Sequence, residues 1–295
     1  MAASKLILFL PILLSGVLST AASPVLLTSS HNASAGPDES SYSNRTIAGV
    51  TVIDTPVVRA AHAYAREHSS DFVYNHVMRG WLFGALIWQH HLLLQQGNNI
   101  TSSGNATNPF DELRDFDIEV HAVAALLHDL GWDQTPHSPF ISPDRRFEVD
   151  GAIASREFLH HHQANASGDG QLAAEDVTRQ WDHRRTQLVW DAIALHTTPT
   201  IFPYKESEVR VVGQGILMDF EGPAYGVTEA EYAAVAAQFP RAGFREGVNQ
   251  TFVWLCASKP QTTYDTMMQP FGDHYVANYS AVGHRVYDMI MSTSD

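Results

Sequence analysis

Apolar residues recur at intervals of three and four along most of the chain beyond residue 47, and this period restricts the fold more than any other feature. Between Asp71 and Leu94 the apolar positions are Tyr74, Val77, Met78, Trp81, Leu82, Ala85, Leu86 and Trp88. This spacing places them on one face of an α-helix, which Asp71 is suited to cap. We find no convincing alternation with the period of two that a half-buried strand requires. The sequence therefore predicts an all-α fold in the form of a helical bundle.

Five further segments show the same helical period and complete the bundle. They are residues 116–130, 147–162, 181–196, 210–219 and 229–238. Gly131 follows the first of them and is predicted to end it, because glycine favours the position after a helix.

Composition changes along the chain and predicts three parts. Residues 1–22 resemble a signal peptide, with Lys5 before an apolar run at residues 6–14 and small residues up to Ala22. Residues 23–46 are rich in Ser, Asn, Ala and Pro and are predicted to form a flexible, glycosylated arm. Residues 47–295 are predicted to form a single helical domain of the size that one hydrophobic core can serve.

Seven Asn-x-Ser/Thr triplets without a central proline are candidate N-glycosylation sites. They begin at Asn32, Asn44, Asn99, Asn105, Asn165, Asn249 and Asn278. Together with the signal peptide, they predict an extracellular protein that passes through a eukaryotic secretory pathway. The single cysteine, Cys256, has no partner for an intramolecular disulfide and is predicted to be buried, since it follows the apolar run 252–255.

Charge and composition exclude some partners and favour others. The net charge of −14 repels phosphate backbones, so nucleic acid is not a predicted partner. No apolar run reaches the length of a membrane helix, so a membrane is not predicted either. The 16 histidines, however, nearly equal the 18 lysines and arginines, and histidine is the commonest metal ligand. We therefore expect metal chemistry on a small-molecule substrate; the oligomeric state is left open.

Four polar residues stand in apolar surroundings that would penalise them unless something satisfies their charge or hydrogen bonds. His128 and Asp129 lie side by side in the apolar segment 126–131, Asp219 lies in the apolar segment 215–220, and His76 lies on the helix predicted from Asp71. A divalent cation accepts imidazole nitrogens and carboxylate oxygens and would remove the penalty for all four.

These residues make the chain resemble the HD-domain superfamily of metal-dependent hydrolases, whose ligands occur in the order His, His-Asp, Asp. The closer similarity is to the fungal branch that contains cyanamide hydratase-like proteins. The segments that resemble it are residues 75–79, 128–131, 147–151, 196–197, 256–260 and 263–265, which span nearly the whole of residues 50–285.

The resemblance implies a function as well as a fold. It makes His76, His128, Asp129 and Asp219 the ligands of one divalent ion, zinc first, with iron or manganese as alternatives. That ion would activate a water molecule to add to a small substrate, for example a nitrile such as cyanamide.

The resemblance and the local sequence also single out residues around the metal. Glu148 is expected to support a ligand or act in acid–base chemistry, and His196 is expected to protonate the attacked nitrogen. Arg79, close to His76 at helical spacing, is a further catalytic candidate.

Three other functions stay open. The first is an HD-type phosphohydrolase, which the chain disfavours because it has only three lysines and carries Trp132 where several phosphodiesterase-type members have lysine. The second is a di-iron oxygenase of the same superfamily, with His161 and His196 as the extra ligands. The third is a non-catalytic HD-fold protein that holds metal only for stability.

Two other histidine groups are interpreted as structural. His121 lies two helical turns before His128 and is read as a structural residue of that helix. The run at residues 160–162 is read as the solvated end of a helix, because polar residues follow it.

Overall fold

The computed structural model describes residues 43–97, 116–168 and 180–294, with the side chains of 94–97 and 165–168 left out. The signal segment, most of the arm and the triplets at Asn32, Asn99 and Asn105 lie outside these ranges. The described residues contain ten α-helices and one two-stranded sheet, so the all-α prediction is confirmed. No helix in these ranges is long and apolar enough to cross a membrane. The helices are α1 (Pro56–Glu67), α2 (Asp71–Gly97), α3 (Ile118–Leu127), α4 (Phe147–Gly168), α5 (His183–Leu195), α6 (Ser207–Glu221), α7 (Glu229–Gln238), α8 (Phe244–Ser258), α9 (Gln269–Tyr275) and α10 (Val286–Met291).

All six helices predicted from the apolar period are present. Helix α7 has the predicted bounds, and α2 and α4 begin at the predicted residues. Helix α3 ends at Leu127, before the predicted end. Gly131 does not act as its stop but lies in a 3-10 turn, where an added Cβ would come within 2.0 Å of the Phe147 carbonyl oxygen. Gly131 therefore allows the turn after Asp129 to approach the start of α4.

A short β-hairpin precedes the helices and was not predicted. Strands β1 (Asn44–Ile47) and β2 (Val50–Ile53) pair antiparallel, with Asn44 opposite Ile53 and Ile47 opposite Val50. Both residues of the connecting turn, Ala48 and Gly49, have positive φ, as a two-residue hairpin turn requires. The expectation that the arm extends to residue 46 was thus wrong for its last three residues.

Helix α2 forms the centre of the bundle and packs closely against α6. Residues 76–88 of α2 are all buried, which explains why apolar positions occur almost all round this part of the helix. The two helices meet at glycines. A Cβ added to Gly215 would lie 2.5 Å from the carbonyl oxygen of Gly80 and 2.7 Å from the backbone nitrogen of Gly84, so only glycine allows this close approach. One turn from this crossing lie His76 on α2 and Asp219 on α6, so the crossing sets how closely they approach.

The glycine crossing gives a prediction for a pair of variants. Gly215→Ala places a methyl group against backbone atoms that cannot rotate away, so it is expected to lower the free energy of unfolding by about 1–3 kcal/mol. Gly80→Ala is the matched control, since its Cβ would lie 3.3 Å from the side-chain atom Cγ1 of Ile216 and no closer than 3.7 Å to a backbone atom of α6. Denaturant unfolding of both variants should show a clearly larger loss for Gly215→Ala. Equal losses would mean that the backbones do not meet as described.

His121 is buried in the core beneath Gly84, in agreement with a structural role. Both of its ring nitrogens are buried and have no hydrogen-bond partner among the described residues. Burial lowers its pKa from the usual 6.5 to about 3, because the charged imidazolium would lose its solvation. In the unfolded chain the same ring protonates near pH 6.5. The unfolded state therefore binds more protons between these two values, and His121 makes the fold less stable as the pH falls below 6.5.

Replacing His121 by leucine is expected to remove this acid sensitivity. The difference in unfolding free energy between His121→Leu and the wild type should shift in favour of the variant by about 2 kcal/mol between pH 7 and pH 5. Denaturant unfolding of both proteins at the two pH values measures this shift. A difference that stays the same at both values would show that His121 takes up a proton in the folded protein as readily as in the unfolded one.

Candidate metal centre

His76 and the adjacent pair His128 and Asp129 converge from two places in the sequence and form a buried triangle of ligand atoms. His76 projects from α2, His128 follows the last residue of α3, and Asp129 comes next in the chain. The His76 and His128 Nε2 atoms are 3.4 Å apart, and Asp129 Oδ2 lies 3.6 Å from the first and 3.2 Å from the second. Each of the three residues is at most 2% exposed.

These distances fit a metal ion. Ligands at about 2.0–2.1 Å from a tetrahedral zinc lie about 3.3–3.4 Å from one another. The three separations scatter around that value, so the triangle has the dimensions of one face of a zinc tetrahedron. Two histidines and one carboxylate leave the fourth position open, which is the ligand number of catalytic rather than structural zinc sites.

The histidines near the triangle are oriented by oxygen atoms behind them. The His128 Nδ1 atom lies 2.8 Å from the Ala125 carbonyl oxygen, and the His196 Nδ1 atom lies 2.6 Å from the Ile193 carbonyl oxygen. The His76 Nδ1 atom lies 2.7 Å from Asp219 Oδ2. Since these oxygens accept, each Nδ1 carries the proton and donates it, and each Nε2 presents a lone pair towards the centre. Metal-binding histidines are commonly held in this way.

The carboxylate of Asp129 faces the imidazoles of His76 and His128 at 3.6 and 3.2 Å. Both of its carboxylate oxygens are buried and accept no hydrogen bond. Burial would raise its pKa, but the surrounding histidines, His128 first, outweigh burial and hold the pKa below its usual value. Conversely, burial would lower the pKa of His128, and the charge on Asp129 outweighs it and raises that pKa. Both shifts reflect a buried carboxylate that attracts positive charge, and a divalent cation would supply it.

Two helices end at this centre and add to its negative potential. His128 and His196 occupy equivalent positions just after the last residues of α3 and α5, and both keep helical backbone angles. The C-terminal end of a helix carries the negative end of its dipole, which favours a cation nearby. The backbone therefore supports the same charge preference as Asp129.

His196 borders the centre on the side of Asp129 Oδ1, with its Nε2 atom 3.8 Å away. Burial and the neighbouring His128 lower its pKa to about 4, although Asp129 and Glu148 act in the opposite direction. His196 is therefore neutral at pH 7 and offers a lone pair rather than a proton. In this state its ring proton lies on the Nδ1 atom that donates to Ile193, and its role in protonating the substrate stays a prediction.

Asp219 lies behind His76 and not among the converging ligand atoms. Among the described residues, the group whose ligand atoms come within 4.8 Å of one another is His76, His128 and Asp129. Asp219 faces the Nδ1 atom of His76, and Arg79 donates a hydrogen bond of 2.7 Å to each of the two Asp219 oxygens. Burial would raise its pKa, but its hydrogen bonds with His76 and Arg79 lower it to about 2. In this structure Asp219 is an ionised carboxylate that holds His76, and its role as a fourth ligand stays a prediction.

Arg79 is fully committed to this support. Besides its bidentate contact with Asp219, its NH1 nitrogen donates to the carbonyl oxygens of Phe239 and Pro240 at 2.9 and 3.0 Å. The side chain is buried with no exposure to solvent. In this structure Arg79 positions Asp219 and exposes no surface to a substrate, and its catalytic role stays a prediction.

Glu148 does not reach the centre either. It is buried, accepts a hydrogen bond from the Thr197 hydroxyl at 2.5 Å, and pairs with the guanidinium of Arg146. Thr197 directly follows His196, so Glu148 fixes the chain where α5 ends. Its role in this structure is support for His196 rather than acid–base chemistry.

The other candidate residues lie apart from the centre. His160 and His161 are exposed on α4, and His161 does not join the ligand group. His162 is half-buried and α4 continues to Gly168, so this run is not the solvated helix end that was predicted. Cys256 is buried, also as predicted. Of the glycosylation candidates, Asn44 and Asn278 are exposed, whereas Asn249 is half-buried on α8 and lines a cavity beside the centre.

That cavity opens from the triangle towards solvent and has a volume of about 1140 Å³. His76, Asp129 and His196 all line it, so a molecule inside it would reach the open side of the centre. Its remaining wall comes from α6, α8, α9 and the neighbouring turns. Neither this cavity wall nor the supporting role of Asp219 was predicted from the sequence.

Comparison with known proteins does not identify the chain. No protein-family model matches it, and no curated protein matches it significantly.

The two kinds of contact at the centre predict two sizes of effect on metal affinity. His128→Ala removes a ligand atom and is expected to abolish zinc binding at micromolar zinc. Asp219→Asn keeps a side chain of the same size but removes the charge that holds His76, so it is expected to weaken zinc binding about 10–100-fold. Competition titration against a chelator measures both affinities. If Asp219→Asn abolished binding as completely as His128→Ala, Asp219 would be a ligand and not a support.

Proposed function

We propose that this protein is a metal-dependent hydrolase or hydratase of the HD-domain type that uses one divalent ion, zinc in the first place. The observation that carries the proposal is the triangle of His76, His128 and Asp129, which has the size of a zinc tetrahedron face and includes an ionised carboxylate without hydrogen bonds. The helical fold and the His, His-Asp order are consistent with that superfamily. The chain departs from it in the supporting position of Asp219.

The residues around the triangle divide the work of the site. A bound zinc ion would supply Lewis acidity and would lower the pKa of a water molecule towards neutrality. His76, His128 and Asp129 would hold the ion, while Asp219 and Arg79 would keep His76 in its ring orientation and tautomer. His196, neutral and exposed to the cavity, would accept a hydrogen bond from water or from a substrate N–H group.

Hydration or hydrolysis of an uncharged substrate, for example a nitrile, agrees better with this site than phosphate chemistry. Phosphate-binding sites use arginine or lysine as clamps. Arg79 is buried and fully engaged by Asp219 and two carbonyl groups, and no lysine lines the cavity. The two arginines that do line it, Arg241 and Arg245, are exposed, and Arg241 is engaged by Tyr232 and Asp219. A phosphohydrolase therefore remains the weaker proposal.

A di-iron oxygenase and a non-catalytic protein receive less support from the geometry. A second metal would need both of the extra ligands predicted for it; His196 borders the centre, but His161 is exposed on α4 and does not join the ligand group. A purely structural ion would be enclosed by its ligands, whereas this triangle borders a large cavity.

The proposal predicts metal content and reactivity together. Purified protein is expected to hold one zinc per chain and to hydrate nitriles without releasing phosphate from phosphate esters or consuming oxygen. His128→Ala and Asp129→Ala should lose both metal and activity, while His160→Ala, an exposed histidine of α4, should keep both. Elemental analysis and a substrate panel on the same preparations measure this, with circular dichroism as the check on folding.

Other outcomes would separate the alternatives. Two irons with oxygen consumption would identify an oxygenase, and phosphate release would identify a phosphohydrolase. A protein that binds metal but turns over no compound, and that loses both the metal and thermal stability in His128→Ala, would support the non-catalytic alternative.

A further inference from the structure

The wall of the cavity at the candidate centre is mostly apolar and largely aromatic. Its volume of about 1140 Å³ exceeds the range of about 300–1,000 Å³ that is typical of pockets for drug-sized ligands. A substrate of three or four heavy atoms would leave most of this apolar surface in contact with water. Aromatic side chains in the wall include Trp132, Phe202, Phe220, Phe244, Phe252 and Phe271.

Large apolar side chains of the wall are also exposed to solvent. Phe220 is 48% exposed, Met267 44% and Tyr275 60%. Exposed apolar side chains grouped around a cavity mark a surface that gains by binding an apolar ligand. Apolar surface that a bound ligand would cover thus extends from the centre to the mouth of the cavity.

Outside the metal centre, the charged residues of the wall are Arg241, Arg245 and Glu246, and all three are exposed. Arg241 donates to the Tyr232 hydroxyl at 2.6 Å and lies 3.4 Å from Asp219 Oδ1, and Glu246 accepts a hydrogen bond from Gln250. These charged groups are exposed, although Arg241 also reaches the buried Asp219, and the other residues of the wall outside the metal centre are uncharged.

Trp132 adds one polar atom to this apolar wall. The residue is 5% exposed, and its Nε1 atom is buried without a hydrogen-bond partner among the described residues. The indole ring lies nearly parallel to His76, with ring centroids 6.1 Å apart. A buried N–H donor without an acceptor is unfavourable, and an acceptor atom on a molecule in the cavity would satisfy it.

We infer that the substrate is a largely apolar molecule, considerably bigger than cyanamide, which carries a hydrogen-bond acceptor for the Trp132 N–H group next to the reacting atom. This inference rests on the proposed function for the identity of the reacting centre, but the binding that it describes depends only on the cavity. It replaces the small substrate expected from the sequence by an apolar class.

Binding of four neutral probes tests the inference on the full chain, measured by ligand-observed NMR with zinc-free and zinc-loaded protein. Acetonitrile, benzonitrile and 4-butylbenzonitrile share the acceptor and differ in apolar size, and toluene lacks the acceptor. Affinity is expected to rise along the nitrile series, by about fourfold for each methylene that becomes buried. Acetonitrile binding as tightly as 4-butylbenzonitrile would overturn the inference.

Two variants assign the binding to this cavity. Trp132→Phe is expected to weaken the binding of benzonitrile by about 2–10-fold and to leave the binding of toluene unchanged. Equal weakening of the binding of both compounds would refute the hydrogen bond. Val248→Trp, which fills part of the cavity from α8, is expected to weaken the binding of 4-butylbenzonitrile at least tenfold. Met289→Trp is the control, since Met289 is exposed on α10 and does not line the cavity.

The result separates the two proposals. Size-dependent binding without retention of zinc would support the apolar cavity and refute the metal-dependent function. Retention of zinc with turnover of small nitriles only, and with no gain in affinity as the apolar part of the probe grows, would support the metal-dependent function and refute the apolar substrate. If Val248→Trp fails to fold by circular dichroism, the nitrile series and Trp132→Phe still decide the inference.

Discussion

The ionised, buried carboxylate of Asp129 is the constraint on which the candidate site depends. Its two oxygens accept no hydrogen bond in the described structure, yet the surrounding imidazoles keep its pKa low. An uncompensated charge inside a protein costs several kcal/mol, so the surrounding fold is expected to provide for a cation. The lone pairs of His76 and His128 point to the same place, and two helices end there with the negative ends of their dipoles. A divalent ion bound by His76, His128 and Asp129 would accommodate all of these features.

The fold holds two of the imidazoles by backbone carbonyl groups and the third by a carboxylate side chain. His128 and His196 follow the ends of α3 and α5, and each donates Nδ1–H to the carbonyl three residues earlier. His76 lies in mid-helix, where carbonyl groups are already used, and so takes a side chain, Asp219, as its acceptor. That contact requires α2 and α6 to approach closely, which Gly215 permits. The glycine crossing therefore belongs to the structure of the site as much as to the core.

Sequence reasoning predicted the helices and the histidine–aspartate core of the site better than its details. Long helices with a continuous apolar period, such as α2, were identified because burial imposes that period, whereas the four-residue strands of the hairpin are too short to show one. The apolar surroundings of Asp219 indicated burial, but they do not reveal which atom a carboxylate faces, and Arg79 and His76 occupy both of its oxygens. The cavity wall combines residues from Trp132 to Tyr275, and only the packing of the helices brings them together. Its apolar character was for that reason invisible in the sequence.

The most direct test of the central claim is X-ray absorption spectroscopy of the zinc-loaded protein at the zinc edge. A site formed by His76, His128 and Asp129 predicts a four-coordinate ion with nitrogen and oxygen neighbours at about 2.0–2.1 Å and the outer-shell scattering of two imidazole rings. A spectrum with six oxygen neighbours and no imidazole scattering would mean that zinc binds elsewhere on the acidic surface. That result would contradict the account of the Asp129 centre.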